Sequence, residues 1–480
     1  MARLEIGNRL IRIQNLRRCD ITSGSNIVRN GLHVYLAAKG WYKNYVLIML
    51  VLVYAINTMD RQVLSLLLED IKLEFELTDS QLGLLGGVAF AFFYSFIGIP
   101  LARWADRGNR KFILALCVLV WSTATALCGF AVGFLTLIAA RIGTAVGEAG
   151  GSPTSHSLIA DYFTAKQRAT ALAIFALGVP LGSITGNLAS GWLNEFFEWR
   201  SVFVIVGVPG IIVSLLVYMS IQEPDRNNAL SSSKTTTAPM PSLWSALQYL
   251  WTQKSYIHMC IAAGLHSVVW YAGSTWNASF LIRSHGVGAG EAGSFMATFA
   301  CAGLVGTFFG GYLADRLATK YHDQRWYLWL PGIAIVCMIP FQFSAYLSES
   351  FVSAIASFWI MTLFAATFFG PSYAVCQSLA TPHTRALASS ILIFVQTLIG
   401  LGIGPLLVGL ISDYLAPTLG ASSLRYALVV VGLANLWSAY HYFCGSRSYR
   451  EDVASVQREL SVAAHKPSTV MTGVHLAKQG

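Results

Sequence analysis

YVLIMLVLVYAINTMDRQVLSLLL, residues 45–68, is an apolar run interrupted near its middle by an adjacent acid and base, Asp60 and Arg61. About 20 apolar residues are enough for an α-helix to cross the hydrocarbon core of a bilayer. A charge at the centre of such a helix costs about 2.5–3.5 kcal/mol on insertion scales, so these residues usually face a cavity or a partner. Two interpretations follow. Asp60 and Arg61 either form a structural ion pair that locks helices together, or belong to a site that handles protons or substrate.

The composition of the whole chain is that of a membrane protein. Of 480 residues, 55% are hydrophobic and 11% are charged, whereas a soluble domain carries about 25% charged residues. The predicted fold class is an all-α integral membrane protein, because runs of spanning length recur along the chain. We predict 12 spans, at residues 45–68, 81–103, 112–132, 134–160, 169–193, 201–221, 256–282, 292–314, 326–347, 351–378, 386–412 and 425–444.

The distribution of charge predicts the orientation of these spans. Basic residues follow predicted spans 2, 4 and 8, whereas the loops after spans 1 and 5 carry acids. The positive-inside rule therefore places both termini in the cytoplasm. Residues 1–43 are basic but lack an apolar stretch with a small-residue cleavage site, so we expect a cytoplasmic tail. We expect a multi-pass protein of the bacterial inner membrane.

A polar stretch and an internal repeat divide the chain into halves. Residues 222–243 are rich in Ser, Thr, Pro and Asn and separate six predicted spans from six. Ala-Asp-Arg follows span 2 at residues 105–107 and span 8 at residues 314–316, the equivalent position in each half. The predicted domains are a tail at 1–43, a six-helix bundle at 44–221, a cytoplasmic linker at 222–254, a pseudo-symmetric six-helix bundle at 255–446 and a cytoplasmic tail at 447–480.

These features resemble the major facilitator superfamily, whose loop between helices 2 and 3 has the form Gly-x-x-x-Asp-Arg/Lys-x-Gly-Arg-Arg/Lys. Asp106, Arg107, Arg110 and Lys111 match this form, while Ala102 and Asn109 replace its two glycines, and the second half keeps Gly311, Asp315 and Arg316. The resemblance extends from residue 45 to about residue 445. It implies a transporter whose two halves rock around a central cavity, and not an enzyme.

Within that superfamily the chain is most similar to the spinster-like branch. The similarity lies in the Asp60-Arg61 pair, the Asn109-Arg110-Lys111 ending of the loop, and Arg141-Ile-Gly-Thr-Ala-Val-Gly147-Glu148-Ala149 in predicted span 4. This resemblance implies lysophospholipids or sphingoid phosphates as substrates. The wider superfamily implies small organic anions, and an arginine such as Arg61 would bind either class.

Arg141 and Glu148 lie seven residues apart on one predicted helix and project from nearly the same face. A carboxyl group between an arginine and a water-filled cavity can exchange protons as the cavity alternates its exposure. We therefore predict proton coupling by Asp60 and Glu148, and substrate binding by Arg61 and Arg141. The family resemblance implies the same roles for Asp60, Arg61 and Glu148. The alternative is that Arg141 and Glu148 only brace helix 4 against helix 1.

Predicted span 7 is unusually polar and aromatic, which suits a cavity that holds an amphipathic solute. The substrate-binding candidates of the second half are His266, Trp270, Tyr271 and Asn277 in span 7, with Tyr373 and Gln377 in span 10. Interfacial anchoring accounts for Tyr271 equally well. His266 is either a proton carrier or a satisfied interior histidine.

The Asp-Arg turns lie at the predicted membrane surface, too far from mid-span to touch substrate. An aspartate there can accept hydrogen bonds from a helix N-terminus, and an arginine can pair with nearby acids. We predict that these residues are gating latches that stabilise one arrangement of the two halves: Asp106, Arg107, Arg110, Asp315 and Arg316.

Other classes of function find less support in the sequence. The eight cysteines have no metal-ligand spacing, so neither a metal nor another cofactor is expected. The net charge of +9 follows the membrane topology and does not indicate nucleic-acid binding. GxxxxGK[ST] is absent from the sequence, which disfavours an ATP-driven pump. We expect a monomeric, proton-coupled secondary active transporter for a small amphipathic or anionic solute, with membrane lipid as its surroundings. The alternatives are a spinster-type lysolipid transporter or, in another class, a membrane enzyme or receptor.

Overall fold

A computed structural model describes residues 41–224, 243–381 and 384–465. These ranges contain no β-strand, and helices cover every predicted span. The first half comprises α1 (Trp41–Phe75), α2 (Asp79–Gly86 and Val88–Arg107), α3 (Arg110–Cys128), α4 (Phe134–Glu148 and Gly151–Tyr162), α5 (Ala165–Ala176 and Gly178–Phe196) and α6 (Trp199–Ser220). The predicted all-α fold class is confirmed.

The second half repeats this arrangement. It comprises α7 (Lys254–His285), α8 (Ala289–Lys320), α9 (Trp326–Leu347), α10 (Phe351–Ala365, Ala366–Phe368 and Phe369–Ser378), α11 (Arg385–Val395, Gln396–Leu401 and Gly402–Leu419) and α12 (Ser423–Gly432 and Ala434–His465). The middle part of α11, Gln396–Leu401, is a π-helix.

Nine helical stretches among the described residues are long and apolar enough to cross a membrane. One of them, Leu387–Arg458, contains both α11 and α12. The other two predicted spans fall outside the nine for identifiable reasons. α4 is divided into pieces of 15 and 12 residues, and α7 carries polar residues along its centre.

Some predicted boundaries differ from the helices. A short helix, Leu243–Thr252, occupies part of the predicted linker, while residues 225–242 lie outside the described ranges. α12 continues as a helix to His465, so the first part of the segment predicted as a C-terminal tail is helical. Residues 1–40 and 466–480, which belong to the predicted tails, also lie outside the described ranges.

The two halves meet at one end of the bundle. We call this the acidic end: it is where α1 finishes and α2 begins, and the opposite end, where α2 finishes, is the basic end. The apolar cluster at the acidic end contains residues of both halves, including Leu67, Leu82, Trp276 and Val408. Two further clusters, around Trp121 and around Tyr442, each lie within one half. The bundle is therefore closed at its acidic end.

Close approach of α2 and α11 makes this closure possible. A Cβ added at Gly83 would lie 2.5 Å from the carbonyl oxygen of Pro405, and one at Gly87 would lie 2.8 Å from that of Gly402. Small residues let membrane helices approach until their backbones touch. The glycines of α2 thus bring the first half against α11 of the second.

Candidate functional site

α1 and α4 bring the predicted charges together inside the first half. The Nε atom of Arg61 donates to Oε2 of Glu148 at 2.6 Å. The Glu148 side chain is fully buried, whereas that of Arg61 is 29% exposed. Arg61 is therefore the partly exposed member of the pair.

Asp60 points away from its neighbour Arg61 and toward α3. Its Oδ2 atom accepts a hydrogen bond from Thr125 Oγ1 at 3.2 Å, and the residue is fully buried. Among the described residues, Asp60 Oδ1 and the Nε and Nη1 atoms of Arg141 have no hydrogen-bond partner. A buried polar atom without a partner is costly, and such atoms lie here among the charges of α1 and α4.

Two aromatic rings of α2 complete this site, and neither was predicted. The Arg61 guanidinium lies 5.1 Å from the ring centre of Phe90 and 4.8 Å from that of Tyr94. The Arg141 guanidinium lies 5.3 Å from the same Phe90 ring. Cations are attracted to ring faces, most strongly where water is excluded. An aromatic side chain in a membrane span is too common for the sequence alone to single out Phe90.

The candidates of the second half fall into two groups. Tyr271 packs against the apolar cluster that contains Phe90 and Leu401, which brings it to the charged site. The ring nitrogens of His266 lie 2.8 Å from Asn435 Oδ1 and 2.9 Å from the carbonyl oxygen of Ala365. Both nitrogens are engaged inside the second half, as expected of an interior histidine with satisfied hydrogen bonds.

The remaining candidates also make hydrogen bonds or ring contacts with residues of the second half. Asn277 Oδ1 accepts from Tyr346 Oη at 2.9 Å, and Gln377 Nε2 donates to Ser389 Oγ at 2.7 Å. The rings of Trp270 and Phe369 are 5.7 Å apart, edge to face. Tyr373 Oη donates to Gln396 Oε1 at 3.3 Å, at the start of the π-helical segment.

The predicted latches lie at the basic end. Arg110 is buried, and it binds Asp161 at the end of α4 and Glu223 after α6, with 2.8 Å between Nε and Glu223 Oε1. Asp315 accepts from Tyr327 Oη at 2.7 Å, and Arg316 Nη1 donates to Tyr312 Oη at 2.8 Å. The hydrogen bonds described for Arg110, Asp315 and Arg316 all stay within their own half.

A network that the sequence did not predict joins the halves at the acidic end. Asp79 accepts from Nη1 and Nη2 of Arg283 at 2.8 Å each, from Ser412 Oγ at 2.6 Å and from Lys72 Nζ at 2.5 Å. Arg283 Nε also donates to Glu69 Oε2 at 2.7 Å. We call these five residues the acidic-end clasp. Glu69, Lys72 and Asp79 belong to the first half, and Arg283 and Ser412 to the second.

Two carboxylates reinforce the clasp by capping helices of the opposite half. Asp413, on α11, accepts from the backbone N–H groups of Asp79 and Ser80 at 2.9 and 2.8 Å. Glu195, on α5, accepts from the backbone N–H of Gly290 at 2.9 Å, near the start of α8. The first N–H groups of a helix lack intrahelical acceptors and favour a negative charge. In the repeat, α5 corresponds to α11 and α2 to α8, so the two caps are equivalent.

A family model for the Major Facilitator Superfamily matches residues 50–405, so the chain belongs to this superfamily of membrane transporters and is not an enzyme. It is 31% identical over 411 residues to an MFS-type efflux pump of Mycolicibacterium smegmatis, covering 85% of this chain and 94% of the relative. It is 27% identical over 431 residues to the D-galactonate transporter of Escherichia coli, covering 85% of this chain and 96% of the relative.

A solved structure shows which branch of the superfamily this chain resembles. A bacterial homolog of the human lysosomal transporter Spinster, in an inward-facing and unoccupied conformation, matches with a TM-score of 0.77 and 31% identity. The match covers 86% of this chain and 98% of that chain. The spinster-like resemblance stated from the sequence is confirmed.

Proposed function

We propose that this transporter moves an organic anion by alternating access and couples the movement to protons. The observation that carries the proposal is the pair formed by Arg61 and Glu148, in which a fully buried carboxylate holds a partly exposed guanidinium at 2.6 Å. Asp60, buried beside them, supplies a second carboxyl group.

Competition for Arg61 provides the coupling. An anion that binds the guanidinium weakens the attraction between Arg61 and Glu148, and a proton on Glu148 weakens it as well. Each ligand therefore favours the other, because coupling between two binding events is reciprocal. Arginine suits this role since its planar fork binds carboxylate and phosphate groups alike. Arg141, with Nε and Nη1 unpartnered among the described residues, is the second cation available to the anion.

The charge pattern supports an orientation for the cycle. If the basic end faces the cytoplasm, as the positive-inside rule expects, closure at the acidic end makes this conformation inward-facing. The acidic-end clasp then opens when the two halves rock to the outward-facing state. All proposed residues lie in one chain, so we propose that a monomer in the bacterial inner membrane is the working unit.

Two classes of substrate fit the site. A small organic acid would bind Arg61 and Arg141 without an apolar tail contact, in keeping with the similarity to a D-galactonate transporter. A lysophospholipid or sphingoid phosphate would place its headgroup on Arg61 and its tail along aromatic residues such as Tyr94 and Tyr271, in keeping with the spinster-like resemblance. We propose an amphipathic or anionic organic solute, with the lysolipid class as the alternative.

Uptake into proteoliposomes under an imposed pH gradient tests the proposal. The probes are labelled D-galactonate and sphingosine-1-phosphate, and the variants are Asp60→Asn and Glu148→Gln. We expect both variants to lose gradient-driven accumulation of the transported probe. Glu291→Gln, which changes an exposed acid on α8, is the matched control and should keep gradient-driven accumulation. Full gradient-driven transport in both Asp60→Asn and Glu148→Gln would contradict proton coupling at this site.

A further inference from the structure

Phe90 touches the charged site from one side. Its ring is 1% exposed and lies 5.1 Å from the guanidinium of Arg61 on α1 and 5.3 Å from that of Arg141 on α4. The Phe90 and Tyr94 rings are stacked with 5.7 Å between centres, and Tyr94 also contacts Arg61. One ring thus contributes to the position of both cations near Glu148.

The apolar cluster to which Phe90 belongs also includes residues of the second half. Phe90 belongs to a buried cluster with Ala91, Ala145 and Leu401, and Tyr271 packs against that cluster. Leu401 ends the π-helical segment of α11, and Tyr271 lies on α7. π-Helical turns inside α-helices are frequent at functional sites. Phe90 therefore lies over two cations of the charged site and belongs to an apolar cluster that both halves share.

We propose that Phe90 is a positioning residue that links the arrangement of the two halves to the charge state of Arg61 and Glu148. This inference rests on the proposed function of that pair. When the halves separate at this depth, Leu401 and Tyr271 leave the cluster, and water reaches the Phe90 ring. A cation–π contact weakens on hydration, so Arg61 and Arg141 are held less firmly in the separated state.

By thermodynamic linkage, protonation of Glu148 also affects the arrangement of the two halves. If the arrangement of the halves changes how firmly Arg61 is held, then a proton on Glu148 must change the balance between the two arrangements. The charged and titratable side chains around the ring that take part are Asp60, Arg61 and Tyr54 on α1, Tyr94 on α2, Arg141 and Glu148 on α4, and Tyr271 on α7.

The experiment follows the balance of the two arrangements without any substrate. Nitroxide labels at Ala169 and Thr319, exposed positions at the basic ends of α5 and α8, report the distance between the halves by double electron–electron resonance. The distances are measured at about pH 8 and again at about pH 5.5. The variants are Phe90→Leu, which removes the ring but keeps an apolar side chain, and Phe90→Tyr, which keeps the ring. Phe93→Leu is the control, since Phe93 packs against the same cluster and pairs with Phe92.

We expect the population ratio in the native protein to change about tenfold between the two pH values, the scale of one desolvated cation–π contact. Phe90→Leu should reduce that change to about twofold or less, while Phe90→Tyr and Phe93→Leu should keep it. An unchanged response in Phe90→Leu would overturn the inference and leave the proposed function standing. No response in the native protein would instead count against proton coupling itself. If Phe90→Leu is not monodisperse, Leu401→Ala shortens the second half's member of the cluster and carries the same expectation.

Discussion

Replacement of Arg283 by glutamine should shift the protein toward the arrangement that is open at the acidic end. Arg283 makes two 2.8 Å hydrogen bonds to Asp79 and one of 2.7 Å to Glu69, across the two halves. The Asp79 and Arg283 side chains are 4% and 14% exposed. These contacts join the halves, so they stabilise the closed arrangement and not the open one.

The size of the shift follows from the burial of the pair. Removal of one partner from a buried ion pair costs about 3–5 kcal/mol. Asp79 keeps Lys72 and Ser412 as donors in the variant, so the lower end of that range applies. About 3 kcal/mol corresponds to about a 100-fold change in the equilibrium between the two arrangements, since every 1.4 kcal/mol is tenfold.

Spin labels at Leu73 and Val352 measure this change. Both residues are 77% exposed and lie at the acidic end, in different halves. Arg283→Gln should produce a longer distance that is rare in the native protein. Arg325→Gln, which breaks an ion pair within the second half, is the matched control and should leave the distances unchanged. If the distances of Arg283→Gln coincide with those of the native protein, the clasp does not hold the halves together.

Three further changes have definite expected results. A Cβ at Gly182 would lie 2.1 Å from the carbonyl oxygen of Ala55, whereas one at Gly311 meets nothing within 4 Å, so Gly182→Ala should lower the melting temperature and Gly311→Ala should not. Arg61→Lys keeps the charge but loses the planar fork, so it should raise KM for the transported anion about tenfold with a smaller effect on the maximal rate, and an equal KM would argue against anion binding by Arg61. Hydrogen bonds from Arg325 and Arg450 hold the pKa of Asp323 below its ordinary value, so its contribution to stability is present above about pH 4 and is lost as pH falls through the lowered pKa. Asp323→Asn should therefore lower the melting temperature at neutral pH and have less effect in strong acid, and a pH-independent difference would contradict this account.

The sequence predicted the fold well because a bilayer leaves few choices. A spanning segment must satisfy its backbone hydrogen bonds internally, so apolar runs of sufficient length become helices. The ends of the helices were less predictable. α12 continues to His465 because polar residues extend a helix beyond the membrane as readily as they form a loop, and hydropathy cannot separate the two.

Part of the candidate site could also be predicted from the sequence, and part could not. Asp60, Arg61, Arg141 and Glu148 stood out because charges are rare in apolar spans, and the structure brings Arg61 and Glu148 into contact. Phe90 was missed because an aromatic residue in a membrane span carries no signal of its own. The clasp has a different reason: acids in the loop after span 1 indicate membrane topology in the sequence, and the sequence does not show that Arg283 of the other half binds Glu69 and Asp79.

The two equivalent helix caps make the interface at the acidic end resemble that of a symmetric dimer. Asp413 caps the N-terminus of α2, and Glu195 caps the N-terminus of α8. Each half therefore gives the other half the same kind of contact that it receives. In an isologous interface a single patch is self-complementary, and one change alters two contacts at once. In this protein the two patches lie in one chain and consist of different residues, so a substitution in one patch leaves the other unchanged. Arg283 binds Asp79 at the start of α2, and so strengthens only the contact between α2 and α11. The two equivalent contacts between the halves can therefore differ in stability although they open together.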